Sequence, residues 1–397
     1  MLKPLPPELQ PGPATPPPLG LYIHIPWCVR KCPYCDFNSH ETADDLLPEA
    51  AYLDALTADL ESSLPDIWGR TIQTIFIGGG TPSLLSARAI DTLLSRLRAL
   101  LRLGPDTEIT LEANPGTADA GRFREFHAAG INRLSIGVQS FDDRLLLATG
   151  RIHDGREARR AVELAQAAGF QNINLDLMFA LPGQDLRMAE RDLRVAIAQQ
   201  PEHISLYQLT IEPHTSFHHH QPNLPDDHLA WQMQLQGTQL LTAHGYGQYE
   251  VSAYARPGRR CRHNLNYWRF GDYLGIGAGA HSKLTDPATR SITRISRVRH
   301  PQRYLAAAGG ADAIQSREHL EGGTIALEFM MNALRLTEGF ERGLFPERTG
   351  LPMAGLERQM EKARERGLLE RDGATIRATE RGRRYLNDLL ELFVPAC

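Results

Sequence analysis

The sequence predicts an α/β protein built on a parallel sheet, followed by a smaller, mainly helical unit. Three observations carry this. Short apolar strands alternate with amphipathic helices six times between about residues 20 and 245, which means parallel strands joined by helical crossovers. Polar or glycine residues stand at the ends of the first five strands, where parallel barrels place their chemistry. After about residue 325 the alternation gives way to helices around one wing-like turn. Six units are too few for a closed eight-stranded barrel, so the sheet is either an open three-quarter barrel or doubly wound.

Composition sets the outer limits. The chain has 397 residues, a net charge of −4 and 42% hydrophobic residues, ample for a full core. A pI near 6.4 implies no general attraction to nucleic acid or membrane surfaces. No apolar run approaches the roughly 18 residues of a membrane span. Residues 1–19 are Pro-rich without an apolar centre, so they read as a disordered or extended tail and not a signal peptide. Five cysteines, three of them clustered, indicate a reducing compartment, hence the cytoplasm.

The first strand includes Leu21, Tyr22, Ile23 and Ile25 and ends at Pro26. Cys28, Cys32 and Cys35 follow on a turn, spaced C-x3-C-x2-C. Thiolates in a tight loop suit zinc or an iron–sulfur cluster. Both want four ligands when fully held by protein, and this loop offers three. The next candidate thiol, Cys261, is more than 200 residues away. A cubane on three thiolates leaves one iron open to exogenous chemistry. The plain alternative is a zinc site completed by His24 or His40.

The later elements follow in order. A helix at about 48–64 carries Ala51, Leu53, Leu56 and Leu60 on one face. The strand 74–77 runs into Gly78-Gly79-Gly80-Thr81, and an amphipathic helix covers 86–102. The strand 108–112 ends on Glu112 and precedes a helix at 118–129. The strand 133–137 is followed by Gln139 and a helix at 155–168. Asp176 lies in the strand 172–177, before a helix at 185–199. The strand 203–207 and a long helix at 226–244 complete the alternation. Gly79 and Gly80 lack Cβ atoms, so backbone can approach a ligand closely there.

From about 246 the pattern stops. Gly275-Ile-Gly-Ala-Gly279 follows no clear strand and precedes no helix, so it is not a dinucleotide fingerprint; it reads as backbone passing close to the pocket. His214 and His218-His219-His220 sit in a Pro-bounded polar segment and read as solvated. The last unit has helices at 326–336, 351–366 and 379–392, with a wing around Asp372-Gly373. This winged-helix-like module reads as a structural or cofactor-covering appendage. The acidic balance and the lack of a basic recognition helix argue against nucleic acid as a partner. Four segments result: a tail 1–19, the barrel 20–245, a connector 246–324 and the C-terminal unit 325–397.

The cysteine run, with Tyr34 just before its third cysteine, resembles the signature of the radical S-adenosylmethionine (SAM) superfamily. The resemblance covers about residues 20–390. It implies the partial barrel, a [4Fe–4S] cluster on Cys28, Cys32 and Cys35, and SAM chelated to the open iron, where one electron cleaves it to a 5′-deoxyadenosyl radical. Matched residue by residue to the coproporphyrinogen-oxidase-like branch, it implies SAM contacts from Tyr22, Tyr34, Gly79, Gly80, Thr81, Glu112, Gln139, Arg151 and Asp176. The residue types suit the task. Carboxylates accept from amine and hydroxyl donors, Gln139 both donates and accepts, and Arg151 can fork to a carboxylate.

Within that branch two readings differ in class. Oxygen-independent coproporphyrinogen III oxidases decarboxylate two propionates of a porphyrinogen. HemW-type haem chaperones bind haem and pass it on, without established oxidase activity. The oxidases carry a fourth cysteine two residues after the third, where this chain has Phe37. They also carry a substantial segment before the cysteine strand, in place of about 20 Pro-rich residues here. His263-Asn264-x-x-Tyr267-Trp268 matches the H-N-x-x-Y-W motif of the chaperones. The resemblance therefore implies a haem carrier on an enzyme-like fold. In it His263 would ligate haem iron, Tyr267 and Trp268 would offer flat faces, and Arg259, Arg260, Arg262 and Arg269 would meet the propionates. The plain alternative is that His263 and Trp268 pack a barrel edge. The implied partners are haem, haem-acceptor proteins of the respiratory, membrane-associated kind, and an electron donor such as a flavodoxin or ferredoxin.

Overall fold

Six parallel strands run where the alternation placed them: β1 Leu19–Ile25, β2 Thr71–Gly79, β3 Arg102–Ala113, β4 Arg133–Gln139, β5 Ile173–Phe179 and β6 His203–Gln208. Each pairs with the next in sequence. The computed structural model describes residues 12–42, 47–371 and 373–395. The crossovers are α1 Glu49–Ile67, α2 Ala87–Leu100, α3 Ala120–Ala129, α4 Gly155–Ala167, α5 Leu186–Ala198 and α6 Asp227–Ala243. Five of them start on a side-chain cap. Ser86, Asp119, Asp154, Asp185 and Asp226 each accept from the backbone N–H three residues on, and such caps fix where a helix begins. One core between the sheet and its helices joins residues from Leu19 to Tyr304.

The sheet does not end at residue 246. Beyond β6 it gains β7 Gly247–Glu250 and β8 Ala253–Ala255, both antiparallel. A short helix, α7 Arg262–Trp268, then leads to β9 Asp272–Ile276, which pairs parallel to β1 on its free side. β10 His281–Asp286, β11 Ser291–Arg297 and β12 Ile314–His319 extend that flank in antiparallel order. The order is β12-β11-β10-β9-β1-β2-β3-β4-β5-β6-β8-β7, an open sheet of twelve strands. It forms the open, partial barrel of the two possibilities. The glycine string thus does follow a strand. Gly275 lies inside β9, where a Cβ would come within 2.0 Å of the His281 carbonyl oxygen. At Gly277 (φ +105°) a Cβ would meet the backbone of His24. The close approach is made to β1 and to the next strand, not to a ligand.

Two buried ionic clusters fasten this flank. Asp59 of α1 accepts from Arg297 Nε (2.8 Å), the Tyr304 hydroxyl (2.7 Å) and the Gly277 N–H (3.2 Å). Asp272 accepts from Arg70 (2.8 Å), Lys283 (3.0 Å) and the N–H and hydroxyl of Thr285 (both 2.9 Å).

Residues 1–11 of the Pro-rich segment lie outside the described residues. Of the rest, Gly12, Pro13 and Pro17 are buried, and Arg70 donates to the Pro17 carbonyl. Residues 12–18 are docked extended chain, a correction to the free tail expected there. The C-terminal unit holds α8 Gly322–Ala333 and α9 Glu357–Glu365. The helix expected at 351–366 is shorter because Gly350 (φ +70°) ends a separate turn of helix at Leu344–Thr349. The last helix is broken at Tyr385. Asp372 of the wing lies outside the described residues, while Leu369 and Ala378 form an antiparallel bridge on either side of it. Phe270 and Ile292 belong to this unit's hydrophobic core, so it is packed onto the connector. No helix among the described residues is long and apolar enough to cross a membrane.

Candidate functional site

A cavity of about 400 Å³ opens at the C-terminal ends of β1–β6 and runs down inside the sheet. Cys28, Cys32 and Cys35 line its mouth together with Tyr34, Gly79, Gly80, Thr81, Glu112, Gln139, Arg151 and Asp176. Eleven of the thirteen expected site residues therefore meet in one place. The cysteine loop is held by backbone: Gly80 N–H donates to Ile25 O and Thr81 N–H to Trp27 O, each at 2.7 Å. A Cβ on Gly80 would sit 2.4 Å from the Trp27 oxygen and 3.0 Å from Cys28 Sγ. Gly79 and Gly80 let β2 approach the cysteine strand closely, and both line the cavity. Gly80→Ala is expected to displace Cys28 and to lower iron incorporation at least twofold, with the far-ultraviolet circular dichroism unchanged. Metal analysis after anaerobic reconstitution checks this.

The thiols have polar neighbours. Thr81 Oγ1 donates to Cys28 Sγ (3.5 Å), Arg151 Nη1 donates to Cys32 Sγ (3.5 Å), and Cys35 Sγ faces Ser39 Oγ (3.6 Å). Arg151 Nη2 donates to the Gly137 carbonyl (2.7 Å), leaving its buried Nε without a partner. His24 has both ring nitrogens engaged and cannot complete a zinc site. His24 Nε2 donates to Asn38 O (2.8 Å), so its Nδ1 accepts from the Tyr22 hydroxyl (3.0 Å). His40 Nε2 pairs with Asn38 Oδ1 (3.3 Å). Among the described residues, no three His, Cys, Asp or Glu side chains are set to hold a single metal ion. His218 and His219 end the one-turn helix Ser216–His219 and His220 caps it, all three exposed.

Glu112 and Asp176 face the cavity. Glu112 accepts from the Gly79 N–H (3.1 Å). Burial, and then the nearby Asp176 carboxylate, push the Glu112 carboxyl up to about 8. Asp176 accepts from Ser135 (3.0 Å) and Asn174 (2.8 Å), and burial still raises it. The consequence for stability has a definite sign. A carboxyl whose folded-state pKa is raised contributes fully below its ordinary value of 4.5, and that contribution is lost as pH climbs towards about 8. The ligand-free protein should melt progressively lower from pH 5 to pH 8.5. Glu112→Gln, which still accepts from Gly79, should flatten that slope in thermal melts.

Two expected residues lie elsewhere. Tyr22 is not part of the cavity wall; its hydroxyl is taken by His24 behind the loop. His263 is buried in α7, beneath the cavity. Its Nδ1 pairs with Thr74 Oγ1 (2.8 Å), its Nε2 with the Tyr267 hydroxyl (3.1 Å), and its ring stacks on Phe76 at 5.2 Å. Burial, helped by the charge of Arg133, lowers it to about 3. The imidazole is neutral, and both its nitrogens are engaged by protein, so no axial ligand is presented here. The arginines around the motif also point away from a common cavity. Arg260 pairs with Glu338, Arg262 donates to the Asp106 carbonyl, and Arg259 and Arg269 are exposed.

What α7 does is close the floor. The carboxylate of Glu108 accepts from the backbone N–H groups of Arg262 (3.2 Å) and His263 (3.1 Å), and Asn264 lines the cavity. Trp268 lies under the Arg335 guanidinium of the C-terminal unit, 4.3 Å from its ring centroid. Above this floor stand Arg133, Ser135, Asn174, Ser205 and Tyr207, which reading for strand ends passed over. A period of two along each strand marks them. Arg133, Ser135, Gly137 and Gln139 alternate with apolar residues that face the helices.

Residues 22–196 match the radical SAM superfamily and residues 323–385 the HemN C-terminal domain. The heme chaperone HemW of Escherichia coli (strain K12) is 51% identical over 378 residues, covering 95% of this chain and 98% of that protein. HemW of Haemophilus influenzae is 49% identical with the same coverage, and HemW of Bacillus subtilis (strain 168) is 34% identical over 94% of this chain and 98% of its own. Among solved structures, coproporphyrinogen III oxidase (HemN) from Escherichia coli, described as a radical SAM enzyme, superposes with a TM-score of 0.81. The match covers 95% of this chain and 90% of that one at 22% identity, a likeness of fold.

Proposed function

The chain belongs to the radical SAM superfamily and, within it, to the HemW heme-chaperone family, and from that premise we propose that it binds haem and hands it to acceptor proteins. The observation that carries the reading is similarity at 51% identity along nearly the whole of both chains to a protein named as a heme chaperone. Phe37 points the same way, standing where the oxidase branch has a further cysteine. The likeness to the oxidase itself, at 22% identity, extends to fold.

Superfamily membership implies a [4Fe–4S] cluster and SAM. Three thiols on one cavity wall, with no fourth thiol beside them among the described residues, suit a cubane with one open iron. We assign Cys28, Cys32 and Cys35 as the cluster ligands. When bound, the cluster supplies one-electron chemistry and a chelation point for SAM. The chain's own residues bind and orient. The unpartnered Nε of Arg151 would meet the SAM carboxylate, Glu112 and Asp176 would accept from its amine and hydroxyl groups, and Gln139, Thr81 and the backbone of Gly79 and Gly80 border the same space. Tyr34, packed against Phe217 at 6.3 Å, forms an apolar wall. We place the protein in the cytoplasm, where reduced thiols persist. Its acceptors are respiratory haem proteins, and an acidic electron donor such as a flavodoxin or ferredoxin fits the basic rim at Arg30 and Lys31, both exposed.

The test uses one anaerobically reconstituted sample. Haem titration should produce a Soret band, and incubation with an apo-haemoprotein should transfer it. Decarboxylation of coproporphyrinogen III with SAM and a reductant at enzyme-like rates would replace the carrier reading with the oxidase one.

A further inference from the structure

Behind the cavity wall, a line of hydrogen bonds runs from the start of α7 to one carboxylate. The N–H of Cys261 donates to the Tyr249 hydroxyl (3.3 Å). That hydroxyl stands 2.8 Å from His203 Nε2, and His203 Nδ1 stands 2.6 Å from Asn174 Oδ1. Asn174 Nδ2 donates to Ser135 Oγ (2.7 Å) and to Asp176 Oδ1 (2.8 Å), and Ser135 donates to Asp176 Oδ2 (3.0 Å). Tyr249, His203, Asn174 and Ser135 are all buried. Asn174 and Ser135 line the cavity, whereas His203 and Tyr249 stand behind it.

The direction of this line is set at its backbone end. An amide N–H only donates. Having accepted from Cys261, the Tyr249 hydroxyl gives its own proton to its other partner, His203 Nε2. Burial, and then the charge of Arg133, keep the imidazole neutral, so its single proton lies on Nδ1. Nδ1 therefore donates to Asn174 Oδ1, which also accepts from Ser205 (3.1 Å). With its oxygen turned to His203, the carboxamide aims its nitrogen at Asp176. Turned the other way, it would set an oxygen against that carboxylate. Both oxygens of Asp176 are thus fixed by donors, while Glu112 has the Gly79 N–H as its one partner among the described residues. We propose that His203 and Tyr249 are positioning residues of the SAM site: they orient the Asn174 carboxamide, which holds Asp176 as a carboxylate in one fixed orientation before SAM arrives. This rests on the assignment of Asp176 to SAM above. It ties the start of the floor helix to the ligand through residues that never touch it.

The experiment reads SAM affinity from the change SAM makes in the electron paramagnetic resonance spectrum of the reduced cluster. Reconstituted wild type is compared with Tyr249→Phe, His203→Phe, Asp176→Asn and the double variant of His203→Phe with Asp176→Asn. Asp176→Asn and His203→Phe should each bind SAM about tenfold more weakly, and Tyr249→Phe about threefold, the scale of hydrogen bonds to a charged group. On the Asp176→Asn background, His203→Phe should add less than about twofold, because its effect passes through Asp176. Losing donors also raises the Asp176 carboxyl, so the acid limb of the affinity–pH profile should move up by about half a pH unit or more in His203→Phe. Glu112, Arg133 and Tyr207 face Asp176 as well; they are present in both proteins and do not produce the difference. Iron content and circular dichroism show whether each variant is folded. Tyr249→Phe, which removes a single hydroxyl, keeps the test alive if His203→Phe is not. Wild-type affinity in both Tyr249→Phe and His203→Phe overturns the proposal. So does an undiminished effect of His203→Phe on the Asp176→Asn background, which would be a structural effect independent of the carboxylate. Wild-type affinity in Asp176→Asn is instead the failure of the SAM assignment, and the two failures look different.

Discussion

Cys32→Ser emerges from anaerobic reconstitution colourless, with iron falling from about four per chain to near zero. A serine hydroxyl is not ionised at neutral pH and cannot replace a thiolate as a ligand. Among the described residues no spare thiol stands beside the loop. Cys261 lies at the cavity floor, completely buried, with its thiol donating to Glu108 Oε1 (3.7 Å). Burial pushes that thiol up to about 12, so it stays protonated as well as remote. The change also removes the sulfur to which Arg151 donates, loosening the residue assigned to the SAM carboxylate. Iron and sulfide analysis, with the visible spectrum, decides the matter. A variant with full iron and sulfide would show that the cluster is held by other residues.

Arg297→Met is expected to cost about 3–5 kcal/mol of stability, the range for removing one partner of a buried ion pair. Asp59 and Arg297 are 2% and 3% exposed at their side chains. Without the arginine, Asp59 keeps only the Tyr304 hydroxyl and the Gly277 N–H to balance a charge with no access to water. Methionine fills much of the vacated volume, so the loss reports the unpaired charge more than a cavity. Denaturant unfolding should show a lower midpoint with an unchanged slope. Asp59→Asn in the same background should recover part of the loss, because it removes the stranded charge. A midpoint within error of wild type would show that the pair does not hold the flank in place.

The sequence made the six strand–helix units legible because each strand contains a short apolar run and five of the six helices carry a side-chain cap at their start. The mouth of the site was legible for a related reason. A cysteine triplet, a glycine run and single polar residues at apolar strand ends stand out in one dimension. The floor did not, because Arg133, Ser135 and Asn174 lie at every second position inside strands and look like ordinary alternation until the sheet curls around them. β9 was hidden too. Its five residues Asp-Tyr-Leu-Gly-Ile carry no strand pattern of their own, and they become a strand by docking against β1. His263 shows the converse. A motif matched by residue type marked an open ligand, and the fold has turned its imidazole inward onto Thr74 and Tyr267.

The pairing of β1 with β9 has a consequence for how the chain is made. β1 is buried along nearly its whole length and carries the cysteine loop at its end, yet the strand that covers its far side is encoded about 250 residues later. At roughly 5–20 residues per second on the ribosome, that interval lasts about 10–50 s. Throughout it, β1 presents an unpaired edge, the kind of surface on which another chain can add a strand. Closure across so long a separation is also slow. The strand from which the cysteine loop hangs is therefore made about 250 residues before its far edge is shielded.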